Sequence, residues 1–320
     1  MVRHQQKRRQ IGLALGAGAA RGTAHLGVLK AFDELEIPVD FVAGTSIGSL
    51  VGGVYASGQI ERLEEALLGL DWKEIIFHFF EVSFPRSGLI DGKRIVEFIS
   101  QFINPIDIDE LTLPFHAVAT EIMTGEEVVL KNGPLIECIR ASIAMPGIFT
   151  PVLRDGLVLV DGGLVNPVPV SIVREMGADF VIAVDINANR VGARQRVAER
   201  INIEKECETM AFVSENSDWR DRVTAAINAQ WNRIDHKLKD RLQHWTNPSG
   251  GPNIIDVIGN TIRIMETQIG ETMLKITAPD IVIRPDVGHF SFMEFNRAAE
   301  GIQAGYEAAK PILEARCNEI

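Results

Sequence analysis

No stretch of this sequence offers the ~18 uninterrupted apolar residues of a membrane-spanning helix, so a helical transmembrane protein is excluded and a soluble or peripheral one expected. Cysteine is scarce. Cys138, Cys207 and Cys317 are odd in number and widely spaced, with no C-x-x-C pair; neither a disulfide framework nor a cysteine-built metal site is expected, and a reducing cytoplasm fits. Concentrated positive charge is missing too. The formal net charge is -11, and the only dense basic run, Lys7-Arg8-Arg9, cannot form the basic face that nucleic-acid phosphates require. Followed by "IGLALGAGAA", that run imitates a secretory or twin-arginine signal with a cleavage site near Ala20. Gly12, Gly16 and Gly18 break the apolar stretch, however, and the pattern is that of a short buried strand entering a glycine loop. No histidine cluster suggests zinc, and neither a metal nor an organic cofactor is expected.

What the chain has is apolar mass: 46% hydrophobic residues over 320 positions can close one large core without covalent staples. From residue 11 to about 186, strand-like and helix-like stretches alternate as in a parallel sheet with crossover helices, predicting a three-layer α/β/α fold with a mainly parallel central sheet. "IGLAL", "DFVAG", "FHAVATEIM", "EEVVL", "LVLVD" and "DFVIAVDI" read as strands. "RGTAHLGVLKAFDELEI", ended by Pro38, "IGSLVGGVYASG" and "PLIECIRASIA" read as helices. After Asp185 the composition turns polar. Two apolar series at steps of three and four, Val223 to Trp245 and then Ile254, Ile258, Ile262, Met265, Ile269 and Met273, describe a helical insertion or arm at about 190–277. The chain returns through the strand "DIVIRP" and the helix in "FNRAAEGIQAGYEAAKPILE". The expected organisation is a basic tail over 1–10 and one domain over 11–320 that carries the arm. The arm either packs on its own domain or offers a surface to a second copy or a protein partner, and three of the four tryptophans lie in it.

Chemistry concentrates in "FVAGTSIGSLVGG". Gly44-Thr45-Ser46-Ile47-Gly48 is a G-x-S-x-G pentapeptide between a strand and a helix, where a sharp elbow lifts a serine hydroxyl out of the backbone and a Cβ at Gly44 or Gly48 would clash. In a chain with 28 glycines the pentapeptide alone is weak. A serine nucleophile also needs a base within reach and donors where a carbonyl oxygen turns negative. "GAGAARG", residues Gly16, Ala17, Gly18, Ala19, Ala20, Arg21 and Gly22, exposes successive backbone N–H groups at a helix start, and the N–H of Ile47 adds another. The same loop has the Gly-x-Gly of a dinucleotide site. Its sixth position is Arg21, and the second strand ends in Ala43-Gly44 instead of a ribose-binding acid, so nucleotide binding is disfavoured.

Two residues compete to be the base. His289 in "DVGHFSF" is the late loop histidine that could complete a triad, whereas Asp161 in "LVLVDGG" stands at a strand end where Gly162 and Gly163 turn the backbone and leave the site open. Neighbouring strands ending at the same edge of the sheet would bring Asp161 to Ser46. A D-G-G tripeptide also reads as a plain turn. A carboxylate with a reference pKa of ~3.9 needs burial to strengthen it as a base.

Glycine loop, serine elbow and D-G-G together resemble the patatin-like phospholipases, a family of Ser-Asp dyad lipid hydrolases. The resemblance runs through "LALGAGAARGTAHLGVLKAF", "IRASIAMPGIFTPV" and "LVLVDGGLVNPVPVSIVREMGADFVIAVDI", and the late "NIIDVI", "APDIVIRPDVGH" and "AGYEAA" are similar to small bacterial members of the neuropathy-target-esterase type. It implies a patatin-like fold and a lipid or other acyl ester as substrate. It also implies Ser46 as the residue that forms an acyl-enzyme, Asp161 as its base without a histidine, and the loop from Gly16 to Gly22 around the oxyanion. Ala17 and Ala19 stand where glycines are usual in the family, a change that a negative φ tolerates. Within residues 70–85, Trp72, Phe77, Phe79, Phe80 and Phe84 read as core packing, with an acyl pocket or membrane contact as the alternative. The expectation is a cytoplasmic serine acyl hydrolase, at most peripheral at the inner face of the membrane. A regulatory or scaffold protein of low turnover and an acyltransferase are the alternatives.

Overall fold

Short runs of apolar and small residues can be buried at every position only where both faces of a sheet are covered. The computed structural model describes residues 8–69, 92–188, 254–317 and 319–320, and in it β1 (Ile11–Leu15) and β7 (Phe180–Val184) are such runs, paired in parallel. The aromatic stretch at 70–85, the series from Val223 to Trp245, Cys207, His4, His78, His236 and His244 lie outside the described residues. The chain divides into two units, Met1–Val191 with Asn260–Ile320, and Gly192–Gly259. The first carries the sheet.

Strand β2 (Phe41–Thr45) joins β1 in parallel, β3 (Phe115–Glu121) joins β2, and β8 (Ile281–Ile283) joins β7. Two strands run the other way, β4 (Glu127–Leu130) and β6 (Leu157–Asp161), both against β3, and β5 (Val152–Arg154), antiparallel to β6, returns to the direction of β3. The order is β5-β6-β3-β2-β1-β7-β8, with β4 also on β3. A strand has two edges, and β4 occupies one edge of β3 from Ala117 to Thr120. Both β2, at Phe115–Val118, and β6, at Ala119–Glu121, therefore use the other edge, one after the other.

Helices cover both faces. On one, α6 (Val170–Glu175) and Leu274 of α7 (Ile254–Thr277) pack with Ala14, Ala43, Val118, Val181 and Ala183. On the other, α2 (Ile47–Ala56) lies over Leu15, Val42 and Phe115, and α1 (Thr23–Glu34) beside it packs against α8 (Ala298–Arg316). Further short helices are α3 (Ile60–Gly69), α4 (Lys93–Ile99) and α5 (Leu135–Ser142). The result is the three-layer α/β architecture with a mostly parallel sheet. Among the described residues no helix is long and apolar enough to cross a membrane.

Two details differ from the sequence reading. Helix α1 stops at Glu34, ahead of Pro38, because Glu36 turns left-handed (φ 51°) and the Ile37 N–H closes back on the Phe32 carbonyl at 2.9 Å. On α7 the inward stripe is Ile262, Glu266, Thr267 and Leu274, whereas Met265, expected inside, is 42% exposed. Apolar spacing places an acid outside by default. Here tertiary contacts turn one inward.

Candidate active site

Where β2 ends, Ser46 takes φ 56° and ψ -124° at the N-terminus of α2, a left-handed conformation that costs a non-glycine residue on the order of 1–3 kcal/mol. Its neighbours enforce the turn. A methyl group on Gly44 would lie 2.3 Å from the Gly48 carbonyl oxygen, and one on Gly48 would lie 2.2 Å from that of Leu15. Backbone meets backbone at both places, so neither position admits a side chain. The Ser46 carbonyl accepts from the Ser49 N–H and hydroxyl, at 2.8 and 2.7 Å, which fixes the first turn of α2.

At the point where β2 leaves β3, the Ser142 hydroxyl fills the gap. It accepts the Ser46 N–H at 2.9 Å and donates to the Val118 carbonyl at 2.6 Å. On the opposing strand the Thr120 hydroxyl donates to the Asp161 carbonyl at 2.8 Å. With both backbones pinned, the Ser46 hydroxyl donates to Asp161 Oδ2 at 2.5 Å, and Asp161 Oδ1 accepts from the Gly163 N–H at 2.8 Å. Asp161 is 1% exposed and Ser46 6%. Burial pushes the Asp161 carboxyl up to about 6, against the pull of its bonds from Ser46 and Gly163.

The two residues reach each other in a particular way: β6 runs antiparallel to β3, β2 runs parallel to it, and the two strand tips face each other along one edge of β3.

The glycine loop lies beside the elbow, with Gly22 so close to Ile47 that a methyl group on it would come within 2.2 Å of the Ile47 side chain. Four of its N–H groups are already engaged. Gly16 donates to Val184, Ala17 to Pro167, Ala20 to Phe292 and Arg21 to Gly18. Gly22 closes the 3-10 turn Ala19–Gly22; among the described residues the N–H groups of Gly18, of Ala19 at the start of that turn, and of Ile47 are left without a protein acceptor. Ala19 has φ 52°, so the condition under which alanine would sit there without strain is not met. Arg21 is buried, 3% exposed, and donates to the Phe290 carbonyl at 3.3 Å. Burial lowers its pKa to about 10.

No described histidine is hydrogen-bonded to Ser46 or Asp161. His25 is buried, donates through Nε2 to the Gly16 carbonyl at 2.8 Å and, by burial, is pushed down to about 4, so it is neutral at ordinary pH. His116 is half-buried on β3. His289 pairs with Glu300 at 2.6 Å, which removes it from a triad. Among the described residues no group of three or more His, Cys, Asp or Glu is arranged to hold a metal ion.

Three residues at the site carried no signal of their own. Ser142 lies within "IRASIAMPG" as one serine among several, Asn187 follows β7 in a polar stretch, and Glu266 is an acid on a helix. Only packing brings them to the elbow and its loop.

Comparison with known proteins adds an independent line. Residues 13–174 match the family model described as patatin-like phospholipase. An uncharacterized NTE family protein of Mycobacterium tuberculosis is 30% identical over 332 residues, covering 96% of this chain and 92% of that one. Patatin-like phospholipase domain-containing protein 6 of Homo sapiens is 28% identical, covering 95% of this chain and 20% of that one. Lysophospholipase NTE1 of Mycosarcoma maydis is 30% identical, covering 95% of this chain and 15% of that one. Among solved structures, VipD from Legionella pneumophila covers 97% of this chain and 67% of that one at 12% identity and a TM-score of 0.45, a likeness too distant to inform the site. With a family model over half of its length and a relative matched nearly end to end, the chain belongs to the patatin-like phospholipase family.

Proposed function

We propose that this lipid ester hydrolase works through a Ser46–Asp161 dyad and an acyl-enzyme, with phospholipid or lysophospholipid acyl esters as substrates. The substrate class is taken from the family and from the name of the fungal lysophospholipase relative. One observation carries the mechanism: the Ser46 hydroxyl donates directly to a buried carboxylate at 2.5 Å.

Asp161 accepts the Ser46 proton as Oγ attacks the ester carbonyl, forming a tetrahedral oxyanion. The N–H groups of Gly18, Ala19 and Ile47, fixed in place before reaction, receive the negative charge. Collapse expels the alcohol, which takes the proton from Asp161 and leaves the acyl group on Ser46. Water then gives a proton to Asp161 and attacks the acyl-enzyme; the fatty acid departs and the proton returns to Ser46.

Burial makes this possible, because a carboxylate of ordinary pKa is a poor base near neutral pH whereas one raised to about 6 is stronger and still ionised there. The test is labelling by a fluorophosphonate together with acyl release from a lysophospholipid. Wild-type protein should be labelled at Ser46, and Ser46→Ala and Asp161→Asn should both be inactive while folded. Full activity in either variant removes that residue's role.

A further inference from the structure

Helix α7 brings to the site an acid that the reaction above does not use. Glu266 is 3% exposed, and its carboxyl lies over Gly163: a methyl group at Gly163 would come within 2.5 Å of Glu266 Oε1 and 3.1 Å of Asp161 Oδ1. Gly163 is the residue whose N–H holds the Asp161 carboxylate. The second oxygen, Glu266 Oε2, accepts from Asn187 Nδ2 at 3.2 Å, and the same amide nitrogen donates to the Ala17 carbonyl at 2.9 Å. Asn187 is held in turn through its N–H by Asp185 Oδ1 at 3.1 Å. Contacts therefore run unbroken from Asp161 through Gly163, Glu266 and Asn187 to the loop that presents the oxyanion donors.

We infer that Glu266 is a positioning residue for hydrolysis, a strut that holds the base and the donor loop in register. The inference rests on the Ser46–Asp161 reading. A carboxyl group suits the place because one of its oxygens can face Gly163 while the other accepts from Asn187. A strut of this kind acts on the geometry of the transition state, and small misplacements of catalytic groups are costly there.

The charge of the strut has a direction. Glu266 faces Asp161 on β6, Arg21 on the 3-10 turn, Arg263 on its own helix and the Asn187 amide; Asp185, behind Asn187, lies 3.6 Å from Arg284. Burial first, then the charge of Asp161, push the Glu266 carboxyl up to about 8, with Arg21 and Asn187 pulling the other way. Near neutral pH the site therefore holds one anion, on Asp161, and Glu266 is a neutral acid. Above that value the ionised strut repels Asp161 and sets a second negative charge behind the loop that must receive the oxyanion.

The experiment is blank-corrected steady-state hydrolysis of a soluble short-chain acyl ester by the full chain across the pH range. Glu266→Ala should lower kcat roughly 10- to 100-fold at neutral pH while KM stays within about twofold, since the loss is of alignment and not of substrate binding. Glu266→Gln keeps the shape without the charge. It should hold kcat within roughly threefold of wild type at neutral pH and keep its plateau above pH 8, where wild type declines. A Glu266→Ala enzyme with wild-type kcat, or a Glu266→Gln profile that still declines near pH 8, overturns the inference. Should Glu266→Ala fail to fold, the pH profile of Glu266→Gln decides by itself. Asp161→Asn separates the two readings: if it is active, the dyad itself is wrong; if it is dead while Glu266→Gln tracks wild type at every pH, only the strut is wrong.

Discussion

Thr45 and Asp161 lie opposite consecutive residues of one strand, Val118 and Ala119, along the same edge of β3. Strand β2 runs up that edge and leaves it at Ser46, while β6 comes down the same edge and stops at Asp161. Ser46 and Asp161 meet tip to tip. The meeting is placed by the sheet's own hydrogen-bond ladder, and each partner's backbone is held besides by hydroxyls, Ser142 and Ser49 on Ser46 and Thr120 on Asp161.

Asp161→Asn should be inactive and more stable. The folded carboxyl holds its proton more tightly than an unfolded one, about 6 against 3.8, so the folded state loses ground as pH rises between those values and bears a buried charge above them. Asparagine removes that charge and retains an acceptor for Ser46. Urea unfolding should find the variant more stable than wild type by about 1–2 kcal/mol at alkaline pH, converging with it at pH values below the unfolded pKa. A variant less stable than wild type under alkaline conditions would show that the carboxylate is not under strain.

Hydrolysis should be lost as acidity increases, with a midpoint at about 6 in kcat/KM, because only the ionised Asp161 can take the Ser46 proton. His25, pushed down to about 4, cannot produce that midpoint. A profile flat to pH 4 would count against Asp161 as the base.

Ser142→Ala strands two buried backbone groups at once, the Ser46 N–H and the Val118 carbonyl. The expected loss of stability is about 2 kcal/mol. Because the freed N–H belongs to the nucleophile, kcat should also fall roughly tenfold at nearly constant KM. Equal kcat in a variant that is merely less stable would confine Ser142 to the fold.

Ala19→Gly should raise stability by about 0.5–1 kcal/mol, since glycine takes φ 52° without the clash that alanine suffers, less the extra freedom it gains when unfolded. Thermal unfolding of the purified variant measures it. A fall in stability would mean that the Ala19 methyl group makes contacts worth more than the strain.

Some of this was legible in the residues alone. β1, β2, the elbow and α2 follow from local rules, because apolar runs need cover and a Gly-x-Ser-x-Gly turn tolerates no Cβ at its glycines; Ser46 and Asp161 stood out for that reason. Short elements such as α4, α6 and β5 did not, being too brief to show a period. The direction of β6 was not legible, because "LVLVD" looks the same whichever way it runs.

The sequence by itself determined the turn at Ser46 and the class of fold and singled out Asp161 as the candidate acid, since each shows in short local patterns. Tertiary structure alone decided that the two strands meet end to end, that only some of the loop's N–H groups are left without a protein acceptor, and that Glu266 is turned inward. Those outcomes depend on which buried polar groups find partners across the fold, and such partners are scattered along the chain.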